Sequence, residues 1–239
     1  MRFGSLFAGI GGFDLGLERA GMECAWQVEI DPWAQKVLAK HWPDVRRYGD
    51  ICEVNYPEPV EVLCGGFPCQ DISGAGKGAG ITGSRSGLWK EYKRIIREVG
   101  PRWVIIENVS ILRSRGLVTV LQDLSEIGYD AEWHCVPASY VGAPHRRDRI
   151  WIVAYPNQQG LEGSGPQRIL QGRQTTTGHT GQGSAGGQTT HWAVEPNVGR
   201  VANGVPKRVD RLRGLGNAVV PQVVEFIGNQ IMRANLDTN

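Results

Sequence analysis

The chain has no apolar run approaching the length of a membrane span. Its N-terminus also lacks a signal-peptide pattern, since Met1-Arg2-Phe3 leads straight into an apolar strand pattern. Neither membrane insertion nor secretion is expected, and a cytoplasmic setting is. Cysteine is scarce. The five present (24, 52, 64, 69 and 135) are an odd number without knuckle-like spacing, which argues against a disulfide framework and against a zinc site. No metal is expected, and a reduced compartment fits best. A complete dinucleotide fingerprint is missing too. Gly9-x-Gly11 is present, but Asp14 stands where the third glycine belongs.

What is there suffices for a core, with 41% of the 239 residues hydrophobic. The first 155 residues alternate short apolar strands with helical patterns. Strands are expected at 2–7, 24–30, 60–64, 103–107 and 150–154, each rich in β-branched or aromatic residues. Helices are expected at 12–20, 32–41, 88–99 and 117–127, the second with Pro32 at its start, where a missing N–H costs least. Repeated βα units imply an α/β fold, a mostly parallel sheet covered on both faces.

The texture changes after Tyr155. In 156–190, Gly, Gln and Thr supply 22 of 35 residues and apolar periodicity vanishes, so this stretch is expected to be a mobile insertion without a core of its own. Order resumes near His191-Trp192, and a last helix is expected at about 222–234. The formal net charge is only +2, but 156–215 holds seven Lys/Arg against three acids. That local excess suits a polyanion such as nucleic acid, or an ordinary solvated loop.

Several segments carry chemistry. Phe7-Ala8-Gly9-Ile10-Gly11-Gly12-Phe13 sits at a strand-to-helix turn, where glycines allow a sharp bend and a ligand can approach the backbone. Glu29-Ile30-Asp31 ends the second strand, where an acid can accept hydrogen bonds from ribose hydroxyls. Asp50 follows where a third strand would end and could receive an adenine amine; Asp31 and Asp50 read equally well as caps. Three such strand ends suggest a nucleoside site.

Gly65-Gly66-Phe67-Pro68-Cys69-Gln70 presents one thiol on a Pro-stiffened turn, either an aimed nucleophile or a small buried hydrophobe. Glu107-Asn108-Val109 places a carboxylate at another strand end; if buried it would hold its proton near neutrality, and otherwise it simply faces water. In His145-Arg146-Arg147-Asp148-Arg149, strand alternation would set Arg147 and Arg149 on one face, as a phosphate or carboxylate clamp or as a structural ion pair.

Together these segments resemble the C5-cytosine DNA methyltransferase family. The order Phe7-x-Gly-x-Gly-Gly, Glu29, Asp50, Gly-Phe-Pro-Cys-Gln, Glu107-Asn-Val, Arg147-x-Arg149 and Gly216-Asn217-Ala218-Val219 follows the family's motifs over residues 1–155 and 214–239. The resemblance implies a Rossmann-like S-adenosylmethionine-dependent methyltransferase sheet with helices on both faces, one antiparallel strand and a small irregular target-recognition insertion. Its domains would be a catalytic and cofactor-binding part at 1–155, a basic target-recognition region at 156–213, and a C-terminal segment at 214–239 that completes the catalytic part.

The resemblance also implies roles. S-adenosylmethionine would meet Phe7, Gly9, Ile10, Gly11, Gly12 and Phe13, with Glu29 and Ile30 at the ribose end, Asp50 and Ile51 at the adenine, and Pro68, Leu88, Asn217 and Val219 lining the pocket. A cytosine flipped from double-stranded DNA would receive Cys69 at C6, Glu107 at N3 and support from Arg147 and Arg149, so that C5 accepts the methyl group. Ser73, Lys77 and Arg85 lie in a stretch resembling a mobile DNA-closing loop. Arg200, Lys207, Arg208, Arg211 and Arg213 resemble a reduced recognition element, which implies a short or relaxed target preference. His145 stands where the family usually has Gln. The same chemistry on tRNA cytosine, or a non-catalytic nucleic-acid-binding remnant, are the alternatives. The family setting implies a monomer in a bacterial or phage-infected cell, within restriction-modification where a cognate endonuclease accompanies it.

Overall fold

The computed structural model describes residues 1–68, 87–157 and 208–236. The expectations for Cys69, Ser73, Lys77, Arg85, Arg200 and Lys207, for the side chain of Arg208, and for the insertion fall outside the described residues.

Seven strands form one sheet: β1 (Arg2–Leu6), β2 (Glu23–Val28), β3 (Arg46–Tyr48), β4 (Val62–Gly65), β5 (Trp103–Val109), β6 (Tyr129–Val136) and β7 (Arg149–Pro156). Their order is β3-β2-β1-β4-β5-β7-β6. Every pairing from β3 through β5 is parallel, and β7 runs antiparallel to both β5 and β6. The helices are α1 (Gly12–Arg19), α2 (Pro32–His41), α3 (Leu88–Val99), α4 (Leu112–Arg115), α5 (Leu117–Glu126), α6 (Arg208–Asn217) and α7 (Pro221–Leu236).

Side-chain alternation in the strands builds two cores. From β5, Val104 and Ile106 join Trp89, Tyr92 and Ile96 of α3 and Val120 and Leu124 of α5. Trp103 and Ile105 point the other way, toward Phe13 and Leu17 of α1 and Val224, Ile227 and Ile231 of α7. Helices thus cover both faces, as parallel strands require. The chain end is integral to this layering, because α7 lies directly on α1. A Cβ at Gly16 would stand 2.5 Å from Val224 Cβ, and one at Gly228 would stand 2.8 Å from Ala20 Cβ.

Periodicity locates α2 and α3 at their observed limits and the other expected elements within a few residues. It does not mark β3, although a third strand is expected to end just before Asp50 and β3 does, and it gives no sign of α4, β6 or α6. β3 is three residues long and begins Arg46-Arg47, so no apolar run marks it. β6 is an edge strand with Asp130, Trp133 and Cys135 exposed, and half-covered edges lose the clean alternation of inner strands. α6 carries Val209, Leu212 and Leu215 at helical spacing but leaves all three exposed, so its short stripe marks no core-facing helix.

Candidate active site

The carboxyl ends of β1, β2, β3, β4 and β5 open into one cleft of about 420 Å3. At its first end the chain turns through left-handed backbone at Phe7 (φ 53°), Gly9 (φ 58°) and Gly11 (φ 86°). This frees Gly9 N–H to donate to Glu29 Oε2 at 2.7 Å, while Asp31 N–H donates to Oε1 at 2.7 Å. Glu29 is therefore fixed by backbone on both oxygens, and each oxygen keeps a lone pair for an incoming hydroxyl. Asp31 caps α2 through Trp33 N at 2.8 Å and Ala34 N at 3.1 Å, and Asp50 caps a short 3-10 turn through Cys52 N at 2.9 Å. Both acids are caps, and both also line the cleft.

Around this end the cleft is lined by Phe7, Gly9, Ile10, Gly12 and Phe13 of the turn, by Glu29 and Ile30, and by Asp50 and Ile51. Gly11 does not line it. A Cβ there would stand 2.3 Å from the Trp42 indole, so Gly11 is needed for packing on that side. Pro68 and Leu88 line the cleft as well, and Asn217 and Val219 form the far wall. That wall extends further than the sequence motifs indicate. Asp210, Arg213 and Gly214 of α6 also line the cleft, and a Cβ at Gly214 would stand 2.7 Å from the Trp33 ring. Arg213, expected to face nucleic acid, approaches Asp31 at 3.4 Å while its side chain stays 67% exposed, as α6 packs by the start of α2.

At the other end of the cleft β5 delivers Glu107. The strand continues to Val109, with Glu107 paired to Trp151 of β7, and the carboxylate is only 7% exposed rather than facing water. Arg149, the first residue of β7, places Nε 2.9 Å from Glu107 Oε1. Burial outweighs the attraction of Arg149 and Arg147 and pushes the Glu107 carboxyl up to about 7. A neighbouring Asn108 donates from Nδ2 to Phe67 O at 3.1 Å, tying the end of β5 to the backbone just before Pro68. Asn108 belongs to the Glu-Asn-Val segment, but nothing in the sequence says which partner it holds. Pro68, also on the cleft wall, is one peptide bond from Cys69.

The two arginines hydrogen-bond to different partners, although both attract Glu107. β7 begins at Arg149, so the alternation expected across 147–149 does not apply, and Arg147 has left-handed backbone (φ 36°). Its Nη2 donates to Gly216 O at 2.8 Å and Ala218 O at 2.6 Å. It is not among the residues lining the cleft, whereas Arg149 is. Among the described residues no cluster of His, Cys, Asp and Glu is arranged to hold a metal ion.

Residues 1–190 match the family of C-5 cytosine-specific DNA methylases. The chain belongs to that family. Among its curated relatives, the Type II methyltransferase M2.BsuMI of Bacillus subtilis (strain 168) is 39% identical over 162 residues, covering 64% of this chain and 42% of that protein. The Type II methyltransferase M.HhaI of Haemophilus parahaemolyticus is 36% identical over 169 residues, covering 68% and 51%. The chain thus spans about half the length of these relatives. A crystal structure of a candidate DNA modification methyltransferase encoded within an E. coli prophage superposes with a TM-score of 0.55 at 27% identity, covering 65% of this chain and 47% of that one. The C-5 methylase fold is therefore the α/β, Rossmann-like sheet described above.

Proposed function

We propose that the protein methylates C5 of a cytosine in DNA, with S-adenosylmethionine as the methyl donor. The observation that carries this reading is that Glu107, held by Arg149, opens into the same cleft as Glu29, held by Gly9 and Asp31. One end suits a nucleoside and the other a base that must be protonated. The cleft volume of about 420 Å3 falls in the range of small-molecule sites. Its carboxylate at Glu29, fixed by the Gly9 backbone, suits a ribose, and Asp50, Ile51, Leu88 and Asn217 would surround the remainder of the donor. Bound there, S-adenosylmethionine would supply an electrophilic methyl group on a positively charged sulfur.

The chain's own residues then have defined work. The Cys69 thiolate adds to C6 of the cytosine, forming an S–C6 bond and moving the C5=C6 electron pair toward C5. Glu107, protonated in part near neutrality, gives or shares its proton at N3 and so removes the charge that would oppose this addition. Arg149 keeps Glu107 in place for that contact. Once C5 has taken the methyl group, with neutral S-adenosylhomocysteine as the leaving group, the C5 proton passes to water, the S–C6 bond breaks with its electrons returning to the thiolate, and the N3 proton returns to Glu107. The base reaches this cleft by leaving the duplex stack. Ser73, Lys77 and Arg85, together with Arg200, Lys207, Arg208, Arg211 and Arg213 of a recognition region at 156–213 whose end overlaps α6, supply the phosphate contacts in this reading, and binding weakens steeply with salt.

The test is methyl transfer to duplex DNA by the full chain, read by bisulfite sequencing, beside Cys69→Ala. Wild-type transfer abolished in the variant, with covalent trapping of the wild type on 5-fluorocytosine duplexes, is expected. An inert wild-type chain, or undiminished transfer by Cys69→Ala, overturns the proposal.

A further inference from the structure

Arg147 holds together two parts of the molecule that are far apart in sequence. Its guanidinium donates to the carbonyls of Gly216 and Ala218, the residues on either side of Asn217. Gly216 belongs to the last turn of α6, where carbonyls have no helical partner, and a cation there both donates to them and opposes the negative end of the helix dipole. The same short segment forms the far wall of the cleft. Asn217, Ala218 and Val219 line it, and a Cβ at Gly12 would stand 2.9 Å from Val219 Cγ2, so the wall rests directly on the glycine turn.

The placement of Arg147 is costly by local measures. Its backbone is left-handed without being glycine, a conformation that persists only where surrounding contacts fix it. Its buried Nε finds no partner among the described residues, and its neighbour Arg149 carries a like charge. Two charge-assisted bonds to the C-terminal carbonyls are what the structure sets against these costs. Arg149 is two residues further on and touches Glu107 instead. The pair is therefore divided, with one arginine serving the base end and the other the wall of the cofactor end.

We infer that Arg147 is a positioning residue which clamps Gly216–Ala218 against the mouth of the sheet, so that cofactor affinity depends on a side chain outside the cofactor cleft. This rests on the reading of the cleft as an S-adenosylmethionine site. An arginine on the target base would affect the chemistry and nucleic-acid binding but would leave cofactor binding alone. A clamp on Asn217 affects cofactor binding with no nucleic acid present.

The deciding measurement is the dissociation constant for S-adenosylhomocysteine, by calorimetry on the full chain without DNA. It is made at a temperature where wild type, Arg147→Gln and Arg147→Lys are all folded, so that a change in global stability leaves it unmoved. Arg147→Gln should bind about tenfold more weakly or worse, as expected for losing two bonds to a charged donor. Arg147→Lys, which keeps the charge but not the fork, should recover part of the loss and show faster amide exchange over 214–220. Arg147→Gln binding as tightly as wild type overturns the clamp. Should Arg147→Gln fail to fold, Arg147→Lys decides, and wild-type affinity together with wild-type exchange overturns the clamp. Absence of binding by the wild type counts against the proposed function, a separate outcome.

Discussion

A Cβ added at Gly66 would stand 2.8 Å from Glu107 Oε2 and 3.5 Å from the Glu107 carbonyl oxygen. Gly66 does not have a left-handed backbone, so an alanine there meets no conformational penalty, only this contact. The carboxylate cannot swing aside freely, because Arg149 holds its other oxygen and the group is buried. Gly66→Ala is therefore expected to displace Glu107 at a cost of about 1–3 kcal/mol. In the proposed reaction, the upper half of that range felt at the target base slows methyl transfer by roughly tenfold or more. Single-turnover transfer to duplex DNA measures the effect. A variant as fast as wild type would show that the carboxylate has room to move.

The raised Glu107 carboxyl gives stability a definite pH dependence. Its proton is held up to about pH 7 in the folded chain and released near the ordinary 4.5 in the unfolded one. Between those values the native state binds the extra proton. The contribution is fully present below about pH 4.5 and is lost as pH rises through about 7. At about 1.4 kcal/mol for each pH unit, the total is on the order of 3 kcal/mol. Glu107→Gln removes this slope, whatever it does to absolute stability by leaving Arg149 unpaired. Urea unfolding of both proteins at pH 5 and pH 8 should show the wild type losing stability relative to the variant as pH rises. Parallel curves would rule out a neutral carboxyl at this site.

The wall of the cleft should also respond to changes made well away from it. Gly16 on α1 packs against α7, where an added Cβ would stand 2.5 Å from Val224 Cβ and 2.6 Å from Pro221 O. The second of these is backbone at the first residue of α7, two residues beyond Val219. Gly16→Ala is thus expected to shift the start of α7, lowering stability by about 1–3 kcal/mol and weakening S-adenosylhomocysteine binding as well. Thermal unfolding and calorimetry separate the two effects. Loss of stability with unchanged affinity would mean that the displacement is absorbed before it reaches Val219.

Much of this site was legible because its parts sit at strand ends, where a turn residue and a polar residue interrupt an apolar run. Gly9, Glu29, Asp50 and Glu107 were all visible in that way. Elements that bury little were not. β6 lies at a sheet edge and α6 turns apolar side chains to solvent, so period and burial lose their correlation, and β3 at the other edge shows only by its end at Asp50. Partners across the fold were also illegible. Nothing in Arg147-x-Arg149 shows that one arginine meets Glu107 and the other the carbonyls of Gly216 and Ala218. The spacing suggested a shared strand face, and a left-handed residue just before β7 broke the pattern.

Asp14 shows the same limit in a buried position. Its presence where a third glycine was sought excluded a dinucleotide fingerprint, but its own role lies in partners from β1 and β2. It is fully buried in the first turn of α1, and its carboxyl accepts from Gln27 Nε2 at 2.8 Å, Ser5 Oγ at 3.2 Å and Cys24 Sγ at 3.5 Å. Burial raises its pKa against the pull of these donors. If its value to the fold is as an acceptor hub, Asp14→Asn should be tolerated within about 1 kcal/mol, since Oδ1 still meets Gln27 and the Ser5 hydroxyl can turn to accept. Asp14→Ala takes the acceptor from Gln27 Nε2 and from the Ser5 hydroxyl, both buried, at about 1–3 kcal/mol each, so a loss of at least about 2 kcal/mol is expected. Urea unfolding of the two variants at one pH distinguishes the cases. Equal losses for Asn and Ala would show that the negative charge at the helix N-terminus, not the hydrogen bonds, is what holds α1 beneath the glycine turn.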